Sequence, residues 1–404
     1  MKNIFVILLI SLSLYSCKSD SLSPENPNYA DKFAKIQNHL DSTWSDYATK
    51  NKIPDSCGIG CYISIKGVNH FFTTFSKNTI NENYHFRIAS NTKMFTAAAI
   101  MLLHQNGKLN INDIILQKMP NSSETYLPDI TDFNIPFKNR ITIKQLMQHR
   151  SGVFDLANDP IPDNIQQPYH GQFYSDYQML KFGIDYQFSI DELIKVVSDC
   201  KIYYDEPGVA FHYSNTGYQV LVKIIERVSG KSYTDFINTE FLQKNGLSQT
   251  FAPWISKDNL LPEPYANGYV IIPSGCYNVT KYNMSFNIGE GNIISSFSDM
   301  NKWIKLLLTG EAGISKENIS LMKDYSDNPV DMFGLGIEYR DGIGFGHTGS
   351  HKGYSSKVFY NPELDLSATF LCNFWNYTNG ANSYREQQNF TQDLLKSFTN
   401  ILKY

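Results

Sequence analysis

Sheet-like sequence sits near the two ends of this chain and is almost missing from its middle, a distribution that narrows the possible architectures sharply. Residues 58–66 alternate and are rich in Ile and Tyr, the pattern of a strand, and a second strand follows at 70–75. Residues 108–290 hold little that reads as sheet and much that reads as short helices and loops. Strand patterns return at 334–339, 342–346, 355–360 and 367–374. Strands need partners, so a single sheet assembled from both chain ends is the economical reading. Phe33, Ile36, Leu40, Trp44 and Tyr47 recur at spacings of three and four and predict an amphipathic helix over 31–51; a last helix carries Phe390, Leu394, Phe398 and Ile401. The expected fold is α+β: an antiparallel sheet flanked by N- and C-terminal helices, with an inserted, mostly helical region. The sheet part takes about 31–107 and 330–404, the helical part about 108–329, and a cleft is expected between them.

The first residues read differently. Lys2 precedes an apolar run from Ile4 to Leu14 that is broken only by serines, and Leu14-Tyr-Ser-Cys17 resembles a bacterial lipoprotein cleavage box. That run is too short for a bilayer span of about 20 residues and suits a signal peptide over 1–17. Cys17 then becomes the lipidated first residue, anchoring the protein to a membrane, and residues 18–30 read as a tether. The expected location is the bacterial cell envelope, on the periplasmic face or the outer surface. A net charge of −4 gives no reason to expect nucleic acid. No phosphate-binding loop or dinucleotide fingerprint is present, so no cofactor is expected. No pattern sets an oligomeric state. Five cysteines remain after Cys17, an odd number with no disulfide framework.

Chemistry enters with three short motifs in order: Ser90-Asn-Thr-Lys93, Tyr213-Ser-Asn215 and His347-Thr-Gly349. Each is weak alone; S-x-x-K also occurs at Ser198–Lys201 and Ser320–Lys323. Residues 91–106 predict a helix with Ala97, Ala98, Met101 and Leu102 buried, which puts Ser90 at its mouth. Positions i and i+3 share a helix face, so Lys93 can reach the Ser90 hydroxyl. A serine needs a base, and a lysine becomes one near neutral pH only when desolvated or set beside another cation. A second predicted helix, opening at Asn215, carries Tyr213 and Asn215 at its start. The phenol is a further proton carrier, and the Asn215 amide is a donor and acceptor for Lys93 or a substrate carbonyl. Gly346 and Gly349 on a strand edge leave room for a substrate backbone to pair.

The ordered motifs resemble the S-x-x-K, S-D-N and K-T-G set of β-lactamases and penicillin-binding proteins. The residues around them extend the likeness. The segment from Phe86 to Ala99 resembles the nucleophile segment of serine β-lactamase-like hydrolases, which include class C β-lactamases, D-alanyl-D-alanine carboxypeptidases, D-amino-acid peptidases and esterases. Gln145 to Val153 resembles the "LLxHxSGL" segment, and the likeness runs over roughly residues 30 to 375. It implies Ser90 as nucleophile, Lys93 and Tyr213 sharing the base and proton-relay work, and an oxyanion hole from the N–H groups of Ser90 and Ser350. It further implies substrate contacts from Asn215, His347, Thr348 and Gly349. The substrate would be a small peptide, a β-lactam or an ester, with D-amino-acid peptides ahead.

Several details stand beside the likeness. His347 stands where β-lactamases have lysine and is mostly neutral at pH 7. Arg340 is a candidate for a substrate carboxylate, but Glu338 on the same strand face opposes it. The aromatic stretch over 155–190 either borders the cleft or packs against the domain. Glu290, between two glycines, reads either as a residue touching the cleft or, the preferred reading, as a turn carboxylate. His347 and His351 lack a third ligand at suitable spacing, so no metal is expected.

Overall fold

The structure, a computed structural model, describes residues 27–75, 80–253 and 261–404. The expected signal peptide, the lipidation site Cys17 and the tether up to residue 26 lie outside the described residues. No helix among the described residues is long and apolar enough to cross a membrane.

Both chain ends do build one sheet. Its strands are β1 (Ile59–Ile65), β2 (Val68–Thr73), β3 (Glu338–Arg340), β4 (Gly344–His351), β5 (Tyr354–Asn361) and β6 (Leu366–Cys372), in the spatial order β2-β1-β6-β5-β4-β3, all antiparallel. The join is β1 against β6, with Ile59 opposite Cys372 and Ile65 opposite Leu366. Every residue of β6 is buried, because both sheet faces are covered. Alternation along β5 shows this: Val358 enters the core shared with the helical region, while Phe359 enters the core under the terminal helices.

The five longest helices among the described residues are α1 (Pro27–Asn51), α2 (Thr92–Gln105), α3 (Asn215–Ser229), α4 (Phe297–Thr309) and α5 (Gly380–Lys403). α1 and α5 lie side by side on the outer sheet face, where Phe33, Ile36 and Leu40 meet Leu394, Phe398 and Leu402. α1 starts four residues earlier than the apolar spacing predicts, so residues 27–30 belong to the helix rather than to the tether. α2 is apolar nearly all round, as a helix enclosed by others must be. Phe95 on it stacks on Trp303 of α4 with ring centroids 4.1 Å apart.

Two strand expectations change. Residues 334–339 do not run as one strand: Gly336 has φ +70°, and only Glu338–Arg340 pairs. β4 begins later than predicted and continues to His351, taking the whole third motif with it. The middle region also holds a hairpin, Tyr269–Ile272 with Gly275–Asn278, that alternation did not reveal.

Candidate active site

The Ser90 turn is built under local constraint. Ala89 sits at φ +53°, a left-handed conformation that a non-glycine residue adopts at a cost, and Ser90 follows in the short 3-10 turn Ala89–Asn91 that feeds α2. Asn91 fastens this turn to the sheet: its Nδ2 donates to Ile88 O at 3.0 Å and to Ser356 Oγ at 2.9 Å. Ser356 Oγ in turn donates to Ile88 O at 2.9 Å.

Gly349 makes that approach possible. A Cβ there would lie 2.3 Å from Ile88 O, 2.5 Å from Ser356 Oγ and 2.8 Å from Asn91 Nδ2. Likewise a Cβ at Gly346 would meet Val358 O at 1.9 Å. The glycines therefore admit the nucleophile turn and the neighbouring strand, a reason for glycine there beyond room for a substrate backbone. Gly349→Ala is expected to lower stability by about 1–3 kcal/mol through overpacking and to slow any reaction at Ser90. Denaturant midpoints and probe-labelling rates check the two effects.

Lys93 is fully buried one turn from Ser90, with Nζ 3.2 Å from Ser90 Oγ. Nζ also donates to Asn215 Oδ1 at 2.6 Å and Glu290 O at 2.9 Å, and lies 3.3 Å from Glu290 Oε2. Asn215 is oriented from behind, because its Nδ2 donates to the buried Asp155 Oδ2 at 3.0 Å. The Asn215 oxygen thus serves Lys93, while an amide nitrogen carries two hydrogens and only one of them is bonded to Asp155, so Asn215, on the cleft wall, keeps a donor for a substrate carbonyl. Burial drives the Lys93 amine below its ordinary range, and Glu290 and Asp155 pull the other way without restoring it. Of the two readings of Glu290, the less favoured holds: it is buried and lines the cleft, on a turn.

Tyr213 and Asn215 flank Ser214, whose Oγ caps α3 by accepting from Gly217 N at 3.0 Å. The Tyr213 phenol is hydrogen-bonded to Ser90, and burial raises its pKa well above 10, so it stays protonated. His149, from the segment 145–153, is the support beneath it. Its ring stacks on Tyr213 at 4.1 Å, and its Nδ1 accepts from Ser214 N at 3.0 Å. Burial pushes His149 well below 6.5, which keeps that nitrogen an acceptor.

The third motif lines the opposite wall. β3 covers β4 only as far as Gly346, so the edge from His347 to His351 faces the cleft. The Thr348 N–H donates to Glu338 Oε1. Alternation puts the Ser350 N–H on that same edge. Arg340 lies on the cleft wall with its charge already paired, its Nε donating to Glu338 Oε2 at 3.0 Å.

His347 is 2% exposed, and burial lowers its pKa to about 4, with the Glu338 carboxylate opposing the shift and the Lys93 and Arg340 charges adding to it. Its folded pKa lies below the unfolded value near 6.5, so the folded state binds fewer protons between those limits. That contribution, on the order of 3 kcal/mol, is present above about pH 6.5 and is lost as the pH falls towards 4. Thermal melts from pH 7 to 4 are expected to drop steeply, and less so in His347→Asn.

These groups open into one cleft of about 710 Å³. Ser90, Tyr213, Asn215, Glu290, His347, Thr348, Gly349 and Ser350 all line it, and Lys93 lies just beneath. Both readings of the aromatic stretch hold in part: Tyr169, Tyr174 and Phe188 are core residues, whereas Phe173, Ser175 and Asp176 form cleft wall. A serine with a desolvated amine and a protonated phenol in contact, below a strand edge of N–H donors, defines a serine acyl-transfer class of site.

The comparisons agree. Residues 58–390 match the family described as Beta-lactamase, and the chain belongs to that family of serine hydrolases. Penicillin-binding protein 4* of Bacillus subtilis (strain 168) is 27% identical over 344 residues, covering 81% of this chain and 66% of the relative. Protein flp of Staphylococcus aureus (strain MW2) is 23% identical over 295 residues, covering 71% and 52%. The chain thus spans half to two-thirds of the length of these relatives. In fold, D-amino acid amidase from Ochrobactrum anthropi SV3, complexed with D-phenylalanine, superposes with a TM-score of 0.70 at 21% identity, covering 92% of this chain and 99% of the amidase.

Proposed function

We propose that this protein is an envelope-anchored hydrolase that cleaves amides or peptides of D-amino acids through an acyl-Ser90 intermediate. The observation that carries the reading is the buried Lys93 amine 3.2 Å from Ser90 Oγ, its pKa lowered by burial. Lys93 takes the Ser90 proton as Oγ bonds to the substrate carbonyl carbon. The Ser90 and Ser350 N–H groups receive the developing oxyanion, and Tyr213, kept protonated, donates to the leaving amine. Water then repeats the sequence in reverse and frees the acid.

The substrate class is argued from the relatives, from His347 and from Arg340. The fold resembles a D-amino acid amidase, and a relative is a penicillin-binding protein. A neutral His347 in place of lysine speaks against β-lactamase action. With Arg340 tied to Glu338, amides and internal peptide bonds suit the cleft better than a free terminal carboxylate. Anchoring through Cys17 remains part of this proposal.

The test is a panel of D-amino-acid amides, D-alanyl-D-alanine peptides, simple esters and a chromogenic cephalosporin, each run with wild type and Ser90→Ala. Fastest Ser90-dependent turnover of a D-amide or D-peptide is expected. A cephalosporin turned over fastest would replace this reading with β-lactamase action, and no Ser90-dependent turnover at all would favour a binding protein.

A further inference from the structure

Lys93 Nζ has more acceptors than protons. An ammonium carries three N–H groups, yet four oxygens surround it: Asn215 Oδ1 at 2.6 Å, Glu290 O at 2.9 Å, Ser90 Oγ at 3.2 Å and Glu290 Oε2 at 3.3 Å. The two nearest are carbonyls and can only accept, so they hold two N–H groups in either protonation state. Ser90 Oγ and Glu290 Oε2 are left to share the third position. When Lys93 acts as base, its lone pair must point at Ser90. The third proton then needs another seat, and Glu290 Oε2 is within reach.

Glu290 is well placed to supply that seat. It is 3% exposed, so water does not compete. Its Oε1 is held by Asn287 Nδ2 at 2.6 Å, which leaves Oε2 turned to Lys93. Through its own carbonyl the same residue holds a second Lys93 N–H, so backbone and side chain act on one amine. Around the pair stand Asp155, bonded to Asn215, the rings of Tyr213 and Tyr218 at 4.9 and 5.4 Å from Nζ, and the neutral His149 and His347.

We propose that Glu290 is a positioning residue that stores the Lys93 proton, and the proposal rests on the reading of Ser90 and Lys93 given above. In the resting pair the N–H bond at Lys93 breaks as an O–H bond forms at Glu290 Oε2. Lys93, now a free amine, takes the Ser90 Oγ proton as Oγ attacks. One proton has moved within a pair that carries no net charge before or after, which suits a buried pair. Burial supports the direction, pushing the Lys93 amine down and the Glu290 carboxyl up.

The test is the pH dependence of Ser90 labelling by a fluorophosphonate, followed by intact mass in wild type, Glu290→Gln and Glu290→Asp, with melting curves as the folding control. In wild type the acid limb belongs to the pair. That limb is the first ionisation of the pair. In Glu290→Gln it becomes the ionisation of Lys93 itself and is expected to move up by about one pH unit or more. A Glu290 that only raised the Lys93 pKa by its charge would instead let the limb fall on removal, which overturns the proposal. Most of the rate should return at high pH, while Glu290→Asp keeps the wild-type limb. An unmoved limb in Glu290→Gln, or a rate lost equally at every pH, overturns the proposal and leaves the acyl-serine reading standing. Should the Gln variant fail to fold, Glu290→Asp carries the test: a limb that moves up as a lone lysine would require overturns the idea. Wild-type protein that takes no label at any pH removes the nucleophile reading itself, and this proposal with it.

Discussion

Ser90→Ala is expected to abolish covalent labelling by fluorophosphonate or penicillin and to lower turnover by at least about 10⁴-fold. The magnitude follows from what is lost. Oγ forms the bond to the acyl group, and no other hydroxyl replaces it beside a desolvated base. The Tyr213 phenol is in contact, but its raised pKa makes it a poor nucleophile. The variant should fold, since Ser90 Oγ has modest neighbours and the turn is held by Asn91 and Ser356. Intact mass and a kinetic assay check the two halves of this prediction. Label retained in Ser90→Ala would mean that another residue carries the chemistry.

Lys93→Met should cost almost as much activity, roughly 10³-fold or more, because Ser90 loses its base. It should also damage the fold in a pH-dependent way. Removing the amine leaves Glu290 buried without its partner, and breaking such a pair costs about 3–5 kcal/mol while the carboxylate stays charged. Burial already raises the Glu290 pKa, and removing Lys93 takes away an interaction that lowers it. A group whose folded pKa lies above its unfolded value contributes stability below the unfolded pKa, near 4.5, and loses it as the pH rises towards the folded value. Lys93→Met should therefore approach wild-type stability at pH 4–5 and fall behind it at pH 7–8. Denaturant titrations at both ends measure the difference. A deficit independent of pH would mean that packing, not charge, is what the substitution disturbs.

The parts of this site legible in the sequence are those set by short spacing. Ser90 and Lys93 meet because three residues make one helical turn, and Tyr213 and Asn215 meet the cap of α3 for the same local reason. The sheet was legible because strand patterns at the two ends had only each other as partners. Glu290 was legible only in part, since Gly-Glu-Gly reads as a turn and is one; its place beside Lys93 comes from a fold that brings it to an amine 197 residues away. His149 was visible as part of a resembling segment, but its function as a stacked support under Tyr213 depends on a contact across 64 positions. Gly349 could be read as a glycine that permits close approach. Which neighbour approaches was decided by how the Ser90 turn packs on the sheet.

The pairing of β1 with β6 has a further consequence during synthesis. β1 ends at Ile65, and its partner begins at Leu366. At translation rates of about 5–20 residues per second, β1 waits roughly 15–60 s for β6 to be made. Through that interval its edge has only β2, a two-stranded hairpin that is marginal by itself. Native pairing of β1 with β6 must also close a loop spanning most of the chain, which favours slow folding. The nascent protein therefore carries an unpaired apolar hairpin for most of its synthesis, and cellular holding factors that cover such edges should decide how much of it folds.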